Sequence, residues 1–158
     1  MNKCIIPAII DKQRGLKCGK HAINNLLQEN IASTNILYKI GRKLSKAIGI
    51  GLTEMVDKTT GYYDVNVLLF FLKYRGYQVE QIHFDNKRDV EKMSTRQSNR
   101  LIGYIIGTGM HWYALRRMRN NGCYYIIDSL ETEVMQIKSL RKWINSRDDL
   151  ILALKIFL

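Results

Sequence analysis

With 158 residues, 46% of them hydrophobic, the chain has the composition of one globular domain and not that of a disordered tail. A single proline excludes a proline-rich linker, and no apolar run is long enough to span a bilayer. The 25 Lys and Arg against 14 Asp and Glu leave a net charge of +11, which invites anionic partners but comes with no motif of a specific nucleic-acid binder.

The first residues, Met1 to Pro7, are too short for a secretory signal. Three cysteines, an odd number without metal-ligand spacing, fit a reducing compartment better than a disulfide framework. The expectation is one domain over 1–158, cytoplasmic or nuclear (a host's cytoplasm for a pathogen or viral product), monomeric, with no cofactor and no metal. Cys4 and Cys123 read as packing residues.

The first element carries the strongest signal. Gln13-Arg14-Gly15-Leu16-Lys17-Cys18 leads into a helix over about Cys18 to Glu29, on which Ala22, Ile23, Leu26 and Leu27 recur at helical spacing. A cysteine at a helix N-terminus meets unsatisfied N–H groups and the positive end of the helix dipole, which favour a thiolate nucleophile. Gln13 is placed to donate its amide to an oxyanion near that sulfur. Most cysteines at helix starts simply pack, so this reading needs a base and an orienting group elsewhere.

A second helix is predicted from Asn35 to Ala47, followed by a polar connector bracketed by Gly49, Gly51 and Gly61 that reads as a mobile helical arm. Val65, Leu68, Leu69 and Leu72 give a third helix one apolar face, with Gly76 as its stop. Tyr77 to Phe84 reads as a strand.

Leu101 to Ile106, His111 to Met118 and Cys123 to Asp128 read as three further strands, the last two joined by a hairpin at Arg119-Asn120-Asn121-Gly122. Pairing Arg119 with Gly122 and counting outward puts His111 opposite Leu130. Asp128 is then its diagonal neighbour on the same face. A carboxylate there accepts from one imidazole nitrogen and leaves the other for a sulfur. A surface histidine and a turn-forming aspartate are the bland readings of each alone; together with Cys18 they are much less so. Ser139 to Asn145 is a short helix, and Ile151 to Phe157 closes the sheet.

Two basic stretches stand out, Lys39 to Lys46 at helical spacing and Arg116-Arg117-Met118-Arg119 on the hairpin. The first reads as a solvated face, the second lies on the Asn-Gly hairpin, and the charge as a whole reads as a solubility and association term.

Four segments resemble the Josephin domains of ataxin-type and short Josephin deubiquitinases. They are Gln13 to Gln28 with its His-x-x-Asn-Asn-Leu run, Gly61-Tyr62-Tyr63-Asp64-Val65-Asn66-Val67-Leu68, His83 to Val90, and His111-Trp112 with Tyr124-Tyr125-Ile126-Ile127-Asp128-Ser129. The resemblance implies an α+β, papain-like fold with the nucleophile helix packed on an antiparallel sheet. It makes Cys18 the nucleophile, His111 the base, Asp128 the orienting group and Gln13 the oxyanion donor of a cysteine-type deubiquitinase acting on ubiquitin or polyubiquitin. Trp112 would line a narrow groove for the glycine-rich substrate tail. Tyr62 departs from the family's asparagine, Asp128 replaces the asparagine of ataxin-type members, and Arg14 and Lys17 make the nucleophile's surroundings more positive. With the sequence ending at Leu158, no ubiquitin-interacting helices follow, so chain-length preference is expected to be weak. A non-catalytic ubiquitin-binding module and an acyl transferase or transglutaminase-like enzyme are the alternatives.

Overall fold

The computed structural model describes residues 6–12, 18–57, 61–94, 98–109 and 111–158. The helices are α1 (Cys18–Leu27), α2 (Thr34–Ile48), α3 (Leu52–Met55), α4 (Val65–Tyr74), α5 (Lys87–Ser94) and α6 (Leu140–Asn145). The strands are β1 (Val56–Asp57), β2 (Tyr62–Tyr63), β3 (Gln78–His83), β4 (Leu101–Thr108), β5 (His111–Arg117), β6 (Tyr124–Ile127), β7 (Met135–Ile137) and β8 (Leu150–Phe157). Six of these form one antiparallel sheet in the order β3-β8-β4-β5-β6-β7. The fold is α+β, as the sequence suggests.

Strand alternation sorts the side chains into two cores. Ile105, Ala114, Ile127, Leu154 and Ile156 face α1, α2 and α4. Tyr104, Ile106, Tyr113, Leu115, Ile126 and Ala153 face the opposite way, where Met93 of α5 and Ile144 of α6 cover them. Because helices cover both faces, β4 and, but for Lys155, β8 read as apolar runs without polar alternation. β8 completes the sheet from the inside, pairing with β3 on one side and β4 on the other.

At Gly103 the β4–β8 register shifts, and the alternation changes phase so that Ile102 joins the helix-facing core. Only glycine fits there. Its φ is +151°, and a Cβ would sit 2.2 Å from the Leu115 carbonyl oxygen and 3.0 Å from Leu26 of α1.

Helix ends follow their sequence signals. Ser33 caps α2 by accepting from Ile36 N–H, and Gly49 ends it in the left-handed conformation. Asp64 caps α4 by accepting from Asn66 N–H. The connector expected to form a helical arm holds the short helix α3 and leads into the β1–β2 ladder, and Met55, Val56 and Tyr63 are buried against the core. Those apolar side chains override the polar, glycine-flanked look of the connector.

Candidate active site

α1 lies across β5 and β4, with its first residue at the strand end where His111 opens β5. Gly19 is what lets this helix start sit deep: a Cβ there would meet Tyr63 and Leu68 at 3.2 Å. The segment from Gly61 to Leu68 thus has a physical task, seating the start of α1 with Tyr63 and Leu68 while Asp64 starts α4. Cys18 is buried.

β5 and β6 pair Ala114 with Ile127 through Arg117 with Tyr124, the register counted from the hairpin. Gly122 turns the chain with φ +68°, and its N–H donates to the Met118 carbonyl. The diagonal relation follows: His111 Nε2 lies 2.8 Å from Asp128 Oδ1. The same carboxylate oxygen accepts from Leu130 N–H at 3.0 Å, so the carboxylate is held from two sides. The imidazole stacks on Tyr113, two residues along the same strand face, with ring centroids 6.0 Å apart.

The electrostatics fit these contacts. The hydrogen bond to Asp128 and then the one to Cys18 raise the His111 pKa to about 9, overcoming the burial that pulls it down. Burial works to raise the Asp128 pKa. The hydrogen bonds from His111 and from Leu130 N–H outweigh it, so the carboxyl titrates below its ordinary value. With Nε2 committed to Asp128, Nδ1 is the ring nitrogen left for the thiol. The structure therefore brings Cys18, His111 and Asp128 together. Gln13, Arg14 and Lys17 lie outside the described residues, as does Cys4.

Trp112 alternates to the other face and packs against the helix-side core. Its ring lies over Gly107, where a Cβ would come within 2.7 Å of it. The indole is half-buried, so packing accounts for its position and a part of it still faces outward. Cys123, in the hairpin, is half-buried.

Two arrangements escape sequence reasoning. His21, three residues after Cys18, has a carboxylate of its own: its Nδ1 lies 2.8 Å from Asp11 Oδ2, and both nitrogens are buried. Nothing in the local pattern links positions 11 and 21. The second is Arg116, read above as part of the basic stretch on the hairpin. Its guanidinium turns inward and donates to the Leu26 carbonyl in the last turn of α1. A cation at that negative helix end satisfies an orphan acceptor and ties α1 to β5. The exit of Arg116 towards the helices follows from its parity with Ala114 and Trp112.

The Josephin family profile matches residues 13–148. The chain belongs to the Josephin family, known as ubiquitin-related proteases. Among its relatives, Josephin-2 of Mus musculus is 29% identical over 130 residues, covering 75% of this chain and 66% of the relative. A Josephin-like protein of Drosophila melanogaster is 30% identical over 132 residues, 75% of this chain and 58% of its own. An ataxin-3-like protein of Homo sapiens is 26% identical over 125 residues, 68% of this chain and 34% of its own. Among the described residues no helix is long and apolar enough to cross a membrane.

Proposed function

We propose that the chain is a cysteine-type deubiquitinase that hydrolyses the peptide or isopeptide bond after the ubiquitin C-terminus. The observation that carries this reading is the juxtaposition of Cys18 with a histidine that is itself held by a carboxylate at 2.8 Å. In this reading the Cys18 thiolate attacks the carbonyl carbon, and the Gln13 amide with the Cys18 backbone N–H stabilises the oxyanion. Imidazolium His111 gives its proton to the leaving lysine amine as the C–N bond breaks. Neutral His111 then takes a proton from water, whose oxygen attacks the thioester carbonyl and releases Cys18. Asp128 holds the imidazole throughout without taking its proton.

A ubiquitin C-terminal fluorogenic amide tests this. Hydrolysis that disappears in Cys18→Ala and His111→Ala, both still folded by circular dichroism, is the expected result. Binding of ubiquitin without turnover would assign a binding module instead. Release that requires an added amine would assign a transferase.

A further inference from the structure

His111, Tyr113 and Leu115 stand on one side of β5, and Tyr113 and Leu115 belong to the core covered by α5 and α6. Cys18 begins α1, which lies on the other side, against Ile105, Ala114 and Ile127. Strand parity alone therefore sends the His111 side chain away from the helix that carries the sulfur. The imidazole nonetheless hydrogen-bonds to both Asp128 and Cys18.

Asp128 cannot fix that placement by itself. One hydrogen bond at Nε2 holds a corner of the ring and leaves the ring free to turn about the bond, which carries Nδ1 away from the thiol. Fixing a plane takes a contact on its face. Tyr113 supplies one: the two ring centroids are 6.0 Å apart and the planes are inclined by 30°, within the range of favourable aromatic pairs. Tyr113 is itself anchored, being 4% exposed and packed in the second core with Ile144 and Leu150.

The Tyr113 hydroxyl explains little of this. It is buried without a hydrogen-bond partner among the described residues, and burial pushes its pKa up to about 12. Arg147 and Asp149 act on it by charge but pair with each other, through two hydrogen bonds of 2.8 and 2.6 Å. A phenol so placed stays neutral at working pH, so it is neither acid nor base in the reaction. Its unpaired oxygen costs about 1–3 kcal/mol of desolvation. The ring is the working part.

We propose that Tyr113 is a positioning residue for the reaction: its ring, stacked on His111, fixes the plane of the imidazole so that Nδ1 faces Cys18 while Asp128 holds Nε2. The proposal rests on the function proposed above. The groups facing the imidazole are then Asp128 from the end of β6, Cys18 from α1 and the uncharged Tyr113 from its own strand. His111 gives a proton in one step and takes one in the next, so its aim matters twice.

The test compares Tyr113→Phe with Tyr113→Leu in the full chain. Tyr113→Phe keeps the ring and should leave kcat on the fluorogenic ubiquitin amide close to the wild-type value. Tyr113→Leu keeps the site apolar but removes the ring, and kcat should fall by about tenfold to a hundredfold with KM nearly unchanged. Where Tyr113→Leu does not fold, Tyr113→Met, with a flexible chain that fills irregular space, takes its place. Packing alone would not move the pH profile of a chain that stays folded. The alkaline limb of kcat/KM should lie at lower pH in Tyr113→Leu and stay in place in Tyr113→Phe, because a turning imidazole loses part of its bond to Asp128. Equal losses in the two variants would assign the effect to the hydroxyl and overturn the proposal. A Tyr113→Leu chain with wild-type kcat and an unmoved limb would overturn it too, leaving Tyr113 as packing. NMR adds a readout without activity: the ring protons of His111 and Tyr113 should show cross-relaxation in the wild-type chain, and its absence overturns the stacking. A wild-type chain silent towards the amide would overturn the proposed function, whereas a failed ring contact in an active chain overturns only the positioning role.

Discussion

At the residue scale, the raised pKa of His111 makes two commitments. The imidazolium is stabilised by Asp128 and Cys18, so its contribution to folding is fully present below about pH 6.5 and is lost as pH rises through about 9. The alkaline limb of kcat/KM should therefore fall near pH 9. In Cys18→Ala one of its stabilising partners is gone, and the His111 ring protons, followed by NMR, should titrate below the wild-type value. An unmoved titration would mean that the thiol is not a partner of the imidazole. Asp128→Asn keeps an acceptor for His111 but loses the charge. It should shift the alkaline limb downwards and retain much of the activity, whereas Asp128→Ala should lose clearly more; equal losses would argue that charge, and not orientation, is what Asp128 supplies. Cys18, His111 and Asp128 were legible in the sequence because each rests on a local rule: a helix start, a strand start and a hairpin count. The Asp11–His21 pair was not, since no periodicity predicts which way an irregular lead-in segment folds back on a helix.

At the element scale, α2 presents Lys39, Arg42, Lys43 and Lys46 on its exposed face, and the helix contains no Asp or Glu. Each of the cations has like-charged neighbours three or four positions away, and every such pair costs about 0.2–0.5 kcal/mol. Lys43→Glu turns the Lys39 and Lys46 contacts from repulsive to attractive. Thermal unfolding should then show a stabilisation of about 0.5–1.5 kcal/mol that shrinks at high salt; a lower midpoint would mean that Lys43 makes a favourable contact this account lacks. Propensity and capping made α1, α2, α4 and α6 readable from sequence. α5 carries too few apolar residues in Lys87–Ser94 to show a helical period. Its signal was present in Asn86, whose side chain accepts from Arg88 N–H and Asp89 N–H. Asp89 in turn accepts from His83 N–H across the turn. In the connector after α2, Met55 and Val56 stand side by side and Tyr63 lies well beyond them, too few and too irregular to show a period, yet all three pack.

At the scale of the whole molecule, two cores share one sheet, and the proposed catalytic groups sit where the strands end. Sequence could sort the inward and outward positions of the 111–128 hairpin because its turn fixed the register. It could not place β8, since a short apolar strand carries no mark of its neighbours and only burial on both faces distinguishes an inner strand from an edge. Lys155 illustrates the cost of that inner place. It is buried on β8, burial lowers its pKa, and it is held by donating to the Lys92 carbonyl near the end of α5 at 2.8 Å. Lys155→Met removes the charge with little loss of volume, so denaturant unfolding should show a small change or a gain in stability. A large loss would mean that the Lys92 carbonyl depends on this ammonium.

The inner place of β8 also has a meaning in time. A ribosome makes β3 and β4 long before β8, and in the finished sheet they do not touch each other but flank it on either side. Until residues 150–157 emerge, the growing polypeptide holds a sheet with a missing middle, two unpaired edges and two half-formed cores. His111 and Asp128, on the neighbouring hairpin, can meet early; a rigid sheet to carry them cannot. A nascent chain stalled before β8 should thus be protease-sensitive and unreactive to a ubiquitin electrophile, and one stalled after β8 has cleared the exit tunnel should be neither. The enzyme proposed here would be unable to act on ubiquitin until residues 150–157 have left the ribosome.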